Sequence, residues 1–157
     1  MIVIGYPCIG KSTYAACHPY RAIDLESSNF IKDENWAELY CNVAIDLSRQ
    51  GHVVFASSHD VVRKQFLKSD YKYIFAIYPA LDVKKEWIER LHERYLKTEL
   101  DKDYRAWQRT LNHYDEDIAA LKEDTKSFGG FYEIGHDRYD LTVILNEFDY
   151  GSTWDHS

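Results

Sequence analysis

Short apolar runs and longer stretches of helical period alternate along this chain. Met1 to Ile4 is an apolar run halted by Gly5, which suits a buried strand. Arg21 to Leu25 predicts a second strand, His52 to Ala56 a third, and Tyr73 to Tyr78 a fourth that ends at Pro79. Leu141 to Leu145 predicts a last one. Between the second and third runs, Trp36, Tyr40, Val43 and Leu47 recur at helical spacing. Asp33 is the expected N-cap of that helix and Gly51 the residue just past its end. A short amphipathic helix is expected from about His59 to Lys68, and another from near Asp82 with Trp87, Leu91 and Tyr95 on one face. After a charged break around Glu99 to Asp103, three/four spacing continues through Tyr104, Trp107, Leu111, Tyr114, Ile118 and Leu121. Gly129-Gly130 stops it.

Strands alternating with helices imply βαβ units and a parallel sheet covered on both faces. The runs are apolar throughout instead of alternating, as a doubly covered sheet demands. The expected class is α/β, three layers, with a parallel sheet of about five strands. No repeat or linker divides the chain, so residues 1–157 are expected to form one domain.

Composition narrows the function classes. The chain has 45% hydrophobic and 29% charged residues and a formal net charge of −7. That acidic balance argues against a broad grip on duplex nucleic acid, which needs a surplus of Lys and Arg. It leaves room for a local basic pocket that takes a small anion. The three cysteines, Cys8, Cys17 and Cys41, follow no metal-ligand spacing and are odd in number, so no disulfide framework is expected. No apolar run approaches bilayer length, and MIVIGYP lacks a charged n-region, so the expectation is a cytoplasmic protein without a membrane partner. Whether it forms a homo-oligomer is open at this stage. Trp36, Trp87 and Trp107 fall on regular helix faces and are expected in the core, whereas Trp154 stands apart in a polar tail.

The first strand runs into Gly5-Tyr6-Pro7-Cys8-Ile9-Gly10-Lys11-Ser12-Thr13, which contains G-x-x-x-x-G-K-S. Glycines permit torsions and close approach that a side chain blocks. Successive N–H groups around Cys8, Ile9 and Gly10 can then face phosphate oxygens where the helix begins. Lys11 reaches the β and γ phosphates, and the Ser12 hydroxyl is placed to ligate Mg²⁺. The signal points to a nucleoside triphosphate.

Asp24 and Glu26 close the second strand, and on this sheet edge they face the phosphate loop. There they meet either Mg²⁺-bound water or an acceptor hydroxyl. The third strand ends in Ser57-Ser58-His59, with no carboxylate in the place where switch-type NTPases carry one. Arg63 lies one turn beyond His59. On the helix KKEWIERLHERYLK, Arg90 and Arg94 are four apart and share a face. They are either part of a salt-bridged solvent face, with Glu86 and Glu93, or two guanidinium groups converging on a transferring phosphoryl group. The segment over about 81–103 suits a helical lid that closes over the triphosphate.

GYPCIGKST, IDLESSNF, VVFASSHDVVR and YPALDVKKEWIERLHER together resemble small phage and prophage P-loop kinases of the nucleotide kinase-like type. These are described as adenylate or deoxynucleoside monophosphate kinase-like. The resemblance implies a P-loop NTPase fold with ATP and Mg²⁺ as cofactors. It implies nucleotide phosphates on Gly10, Lys11, Ser12 and Thr13, with Gly5, Cys8 and Ile9 completing the loop. It further implies acceptor contacts from Asp24 and Arg63 and lid arginines at Arg90 and Arg94. Glu26, Ser58 and His59 complete the expected acceptor side. The D-G-x-P-R stretch of adenylate kinases is replaced here by Ser57-Ser58-His59-Asp60.

The leading expectation is transfer of the γ-phosphate of ATP to a (deoxy)nucleoside monophosphate. One alternative is a hydroxyl acceptor, either a nucleoside or a polynucleotide 5′ end, with Asp24 handling its proton. Another is a nucleotide-binding regulator or slow NTPase.

Overall fold

Val3 sits opposite both Phe55 and Phe75, which places β1 (Ile2–Gly5) between β3 (Val53–Ala56) and β4 (Ile74–Pro79). This computed structural model describes residues 1–155, with side chains through Asp149. Among the described residues one parallel sheet has the order β2-β3-β1-β4-β5, with β2 (Ala22–Asp24) and β5 (Gly130–Ile134) at its edges. Every residue of β1, β3 and β4 is buried, which is why those runs are apolar throughout. Each fully buried Val, Ile or Phe contributes roughly 1.5–3 kcal/mol.

Helices cover both faces. Val3, Phe55 and Phe75 share one face by register. There Tyr14 of α1 (Lys11–Cys17) packs edge-on against Phe55, and Phe148 of α6 (Leu141–Asp155) stacks on Phe75. Right-handed crossovers put α2 (Trp36–Arg49), α3 (Asp60–Lys68) and the hairpin of α4 (Lys84–Thr98) and α5 (Asp101–Asp124) on the other face. The fold is therefore α/β and three-layered, as the pattern predicts. The connections after β1 and β4 leave in opposite directions, and this opens a crevice at the carboxyl ends of the strands. Among the described residues no helix is long and apolar enough to cross a membrane.

The last third departs from expectation. Leu141 to Leu145, expected as a strand, opens α6; among its described side chains Leu141, Ile144, Leu145 and Phe148 are buried, a helical spacing. Asp140 starts it by accepting a bond from the Thr142 N–H at 2.8 Å. The fifth strand is Gly130–Ile134 instead, paired in parallel with β4. It is an edge strand with exposed Phe131, so it lacks the unbroken apolar run of its neighbours. Gly129 is needed there, because a Cβ would come within 3.1 Å of the Lys72 carbonyl and 3.2 Å of the Phe75 ring.

Two helix details also shift. Asn35, not Asp33, is the N-cap of α2, and Asp33 instead accepts the Asn35 N–H at 3.0 Å. In α5, His113 leaves helical geometry (φ −136°), and in its first half Asp103 and Thr110 are buried while Tyr104 and Leu111 are exposed. The side chain of Trp154 lies outside the described residues.

Candidate functional site

A cleft of about 1000 Å³ lies over the carboxyl ends of β1, β2 and β3, beneath the α4–α5 hairpin. Its lining includes Lys11, Lys32, Arg63, Arg90, Arg94, Lys97, Lys102, Arg105 and Arg109, against Asp24, Glu26, Asp60, Glu93, Asp103 and Asp117. A chain of net charge −7 thus gathers nearly half of its 19 Lys and Arg residues around one cavity. Such a concentration favours an anionic occupant.

The loop between β1 and α1 forms one wall. Gly10 has φ +106° and Cys8 φ +69°, so the loop enters the left-handed region at two positions that flank Ile9. Gly5 leaves room for its neighbours: a Cβ there would sit 2.7 Å from the Lys11 side chain and 2.7 Å from that of Ile9, so both would have to move. The Lys11 ammonium donates to the Gly5 carbonyl at 3.0 Å, folded back along its own loop. Burial lowers its pKa, and the nearby Asp24 and Glu26 act in the opposite direction. Ser12 and Thr13 are exposed on the first turn of α1 and line the cleft.

Four consecutive residues of this loop are each held by a distant part of the chain. The Tyr6 hydroxyl and Thr110 on α5 bond at 2.8 Å. The Trp87 indole on α4 donates to the Pro7 carbonyl at 2.8 Å. Arg94 donates to the Cys8 sulfur at 3.6 Å. The Tyr139 hydroxyl, from the segment between β5 and α6, donates to the Ile9 carbonyl at 2.9 Å. Trp87 is fully buried, so the expected core residue also anchors the loop. Tyr139 and Thr110 were not candidates, because a bond to a backbone carbonyl or a tyrosine hydroxyl leaves no local pattern.

The two arginines of α4 do share the cleft, in different settings. Arg94 forms an ion pair with Asp103 at 3.0 Å, and Asp103 is itself 2% exposed and accepts a bond from Thr98 at 2.5 Å. Burial works against the Arg94 charge, but Cys8, Asp103 and Glu26 outweigh it and raise its pKa. Arg90 is more exposed, with its guanidinium 4.3 Å over the Trp87 ring and 3.4 Å from the Tyr139 hydroxyl. Its expected helical partner Glu86 pairs with His136 instead, at 2.7 Å. Among the described residues neither arginine forms an i,i+4 salt bridge along α4.

The opposite wall carries the expected acceptor residues. Tyr40 fixes it: its buried hydroxyl donates to the Leu25 carbonyl at 2.6 Å and accepts the Ser57 N–H at 2.8 Å. One side chain thereby joins the end of β2, with Asp24 and Glu26, to the end of β3, with Ser57, Ser58 and His59. Burial raises the pKa of Asp24, Lys11 opposes that rise, and Glu26 adds to it. Desolvation in the cleft lowers the pKa of His59, helped by Lys32, Lys11 and Arg109 and countered by Asp60. Arg63 is buried, with Nε donating to the Ser58 carbonyl at 2.9 Å and Nη1 paired with Asp124. Lys102 lies 3.8 Å from Glu26, and Arg109 makes a two-pronged pair with Asp117 at 2.8 and 2.6 Å.

The residues fit a magnesium-bound triphosphate. Among the described residues no group of three or more His, Cys, Asp or Glu side chains is arranged to hold a metal alone. Mg²⁺ commonly completes its shell with substrate phosphates and water, so a single protein ligand such as Ser12 suffices. No protein-family model and no curated protein sequence matches this chain.

Proposed function

We propose that this protein is an ATP-dependent phosphotransferase that moves a γ-phosphoryl group to a small acceptor bound in the same cleft. The observation that carries this reading is the braced G-x-x-x-x-G-K-S loop with Arg94 held directly against it. Lys11 serves as the cation for the β and γ phosphates, released from the Gly5 carbonyl when phosphate oxygens replace it. Ser12 holds Mg²⁺, which would neutralise charge on the phosphates. Backbone N–H groups of Cys8, Ile9 and Gly10, with Thr13 at the helix start, complete the cradle. Arg94, oriented by buried Asp103, supplies charge that strengthens as the phosphoryl group transfers. Arg90, lying over Trp87, adds a second cation at the mouth.

Phosphoryl transfer depends on positioning and charge neutralisation more than on covalent chemistry by the protein, and the cleft is built for both. The absence of a carboxylate at the end of β3 disfavours a switch-type hydrolase. Steady-state kinetics tests the reading. Arg94→Lys keeps a charge beside Asp103 but loses the planar fork, and it is expected to lower kcat about 10²–10³-fold with little change in ATP affinity. Wild-type kinetics in that variant would remove Arg94 from the transfer step.

A further inference from the structure

The acceptor wall differs chemically from the donor wall, and the difference defines what it takes. A nucleoside monophosphate offers a phosphate dianion and asks for a free cation beside the γ-phosphate. Arg63, the cation expected there, is buried, with two of its donors committed to Ser58 and Asp124. What the wall presents toward Lys11 is instead a pair of carboxylates, Asp24 and Glu26. Two carboxylates repel a dianionic nucleophile, but one of them can receive the proton of an alcohol. Burial raises the proton affinity of Asp24 above that of an ordinary carboxylate, in the direction a proton acceptor needs; Glu26 adds to it, and Lys11, Lys102 and Arg94 hold it in check.

Further along the same wall the charge reverses. Lys32, on the loop after β2, donates to the Ser27 carbonyl, lies 4.0 Å over the Trp36 ring, and has no carboxylate partner among the described residues. It stands close enough to His59 to lower the imidazole pKa, as does Arg109 from α5. The wall therefore has a carboxylate near the phosphate loop and, farther out, an ammonium with no carboxylate partner among the described residues.

Resting on the phosphotransferase reading above, we propose that the acceptor is an alcohol that carries its own anionic group: Asp24 receives the hydroxyl proton and Lys32 holds the anion. In the step, the acceptor O–H bond breaks and its proton passes to an Asp24 carboxylate oxygen. The acceptor oxygen bonds to the γ-phosphorus of the nucleoside triphosphate. The bond from that phosphorus to the β,γ-bridging oxygen breaks, and the nucleoside diphosphate leaves with the electron pair. The products are a phosphomonoester and the diphosphate, and Asp24 returns its proton to water. A 5′-hydroxyl oligonucleotide, a nucleoside 3′-monophosphate and a hexose phosphate all have this chemistry.

The test offers γ-labelled ATP and Mg²⁺ with each of those three, with uncharged nucleosides, and with 5′-nucleoside monophosphates; ATP binding is measured in parallel by calorimetry. The expected result is labelled phosphomonoester on at least one anionic alcohol, with kcat/KM at least about tenfold above the uncharged nucleoside. Which of the three is labelled identifies the source. Lys32→Ala should erase that preference by raising KM for the anionic acceptor alone, and Asp24→Asn should lower kcat about 10²–10⁴-fold at unchanged ATP affinity. Both variants are checked for an unaltered circular dichroism spectrum. Label on the phosphate of a 5′-monophosphate, equal use of charged and uncharged alcohols, or ATP binding with no acceptor labelled would each overturn the proposal and leave the ATP site standing. No ATP binding at all would overturn the phosphotransferase reading with it.

Discussion

Cys8, Cys17 and Cys41 occupy three different environments, and that makes them reporters of the site. Cys41 is 2% exposed, and burial pushes its thiol up to about 12. Only the thiolate reacts with an alkylating agent, so Cys41 should stay unmodified at pH 8 until the chain unfolds. Cys17 is exposed at the end of α1 and should be labelled first. Cys8 is half-buried within the loop between β1 and α1 and beside Arg94. Bound ATP should therefore slow its alkylation severalfold and leave Cys17 unchanged, as read by mass spectrometry of the labelled peptides. Equal labelling of Cys8 with and without ATP would place the triphosphate elsewhere. The place of this loop between β1 and α1 was legible because it lies in one contiguous motif. The pairing of Arg94 with Asp103 was not, because Asp103 sits in what reads as a charged break between helices.

At the scale of elements, single side chains bind strand ends and helices into a site. Tyr40 is the clearest example, since its hydroxyl serves two backbone groups on different strands. Tyr40→Phe would keep the ring in the core and leave the Ser57 N–H and Leu25 carbonyl without that partner. The expected cost is roughly 1–3 kcal/mol of stability, measured by urea unfolding, together with a raised KM for the acceptor. An unchanged midpoint and KM would show that the strand ends hold their positions without it. Of the helical-period residues Trp36, Tyr40, Val43 and Leu47 only Tyr40 is fully buried, the rest of the buried face being Cys41, Ala44, Ile45 and Ser48, and no pattern reports what a buried hydroxyl bonds. The three central strands were legible because burial on both faces demands unbroken apolar runs, whereas their order in the sheet was not. The apolar-run pattern failed for β5, whose exposed edge relaxes that demand, and for α6, where LTVIL satisfies a strand reading over five residues and a helical one over eight.

Across the whole molecule, charge is distributed unevenly, and that distribution supports the reading carried by the braced loop. The acidic chain carries a cleft rich in Lys and Arg at the carboxyl edge of its sheet, with its walls fixed to one scaffold. Net charge alone argued against a broad duplex-binding surface but gave no sign that α5 would bring Lys102, Arg105 and Arg109 over the site; these were absent from the sequence candidates because only a folded hairpin lays α5 against the loop that follows β1. The central claim is that this cleft binds a nucleoside triphosphate through Lys11. Its most direct test is thermal unfolding of wild type and Lys11→Ala, each with and without Mg²⁺-ATP. ATP at about 100 times its Kd should stabilise wild type by roughly 2.7 kcal/mol, a rise of about 5–10 °C in Tm for a domain of this size. Lys11→Ala should unfold cooperatively and lose most of that rise. A wild-type Tm indifferent to ATP, or a variant stabilised as much as wild type, would contradict the account.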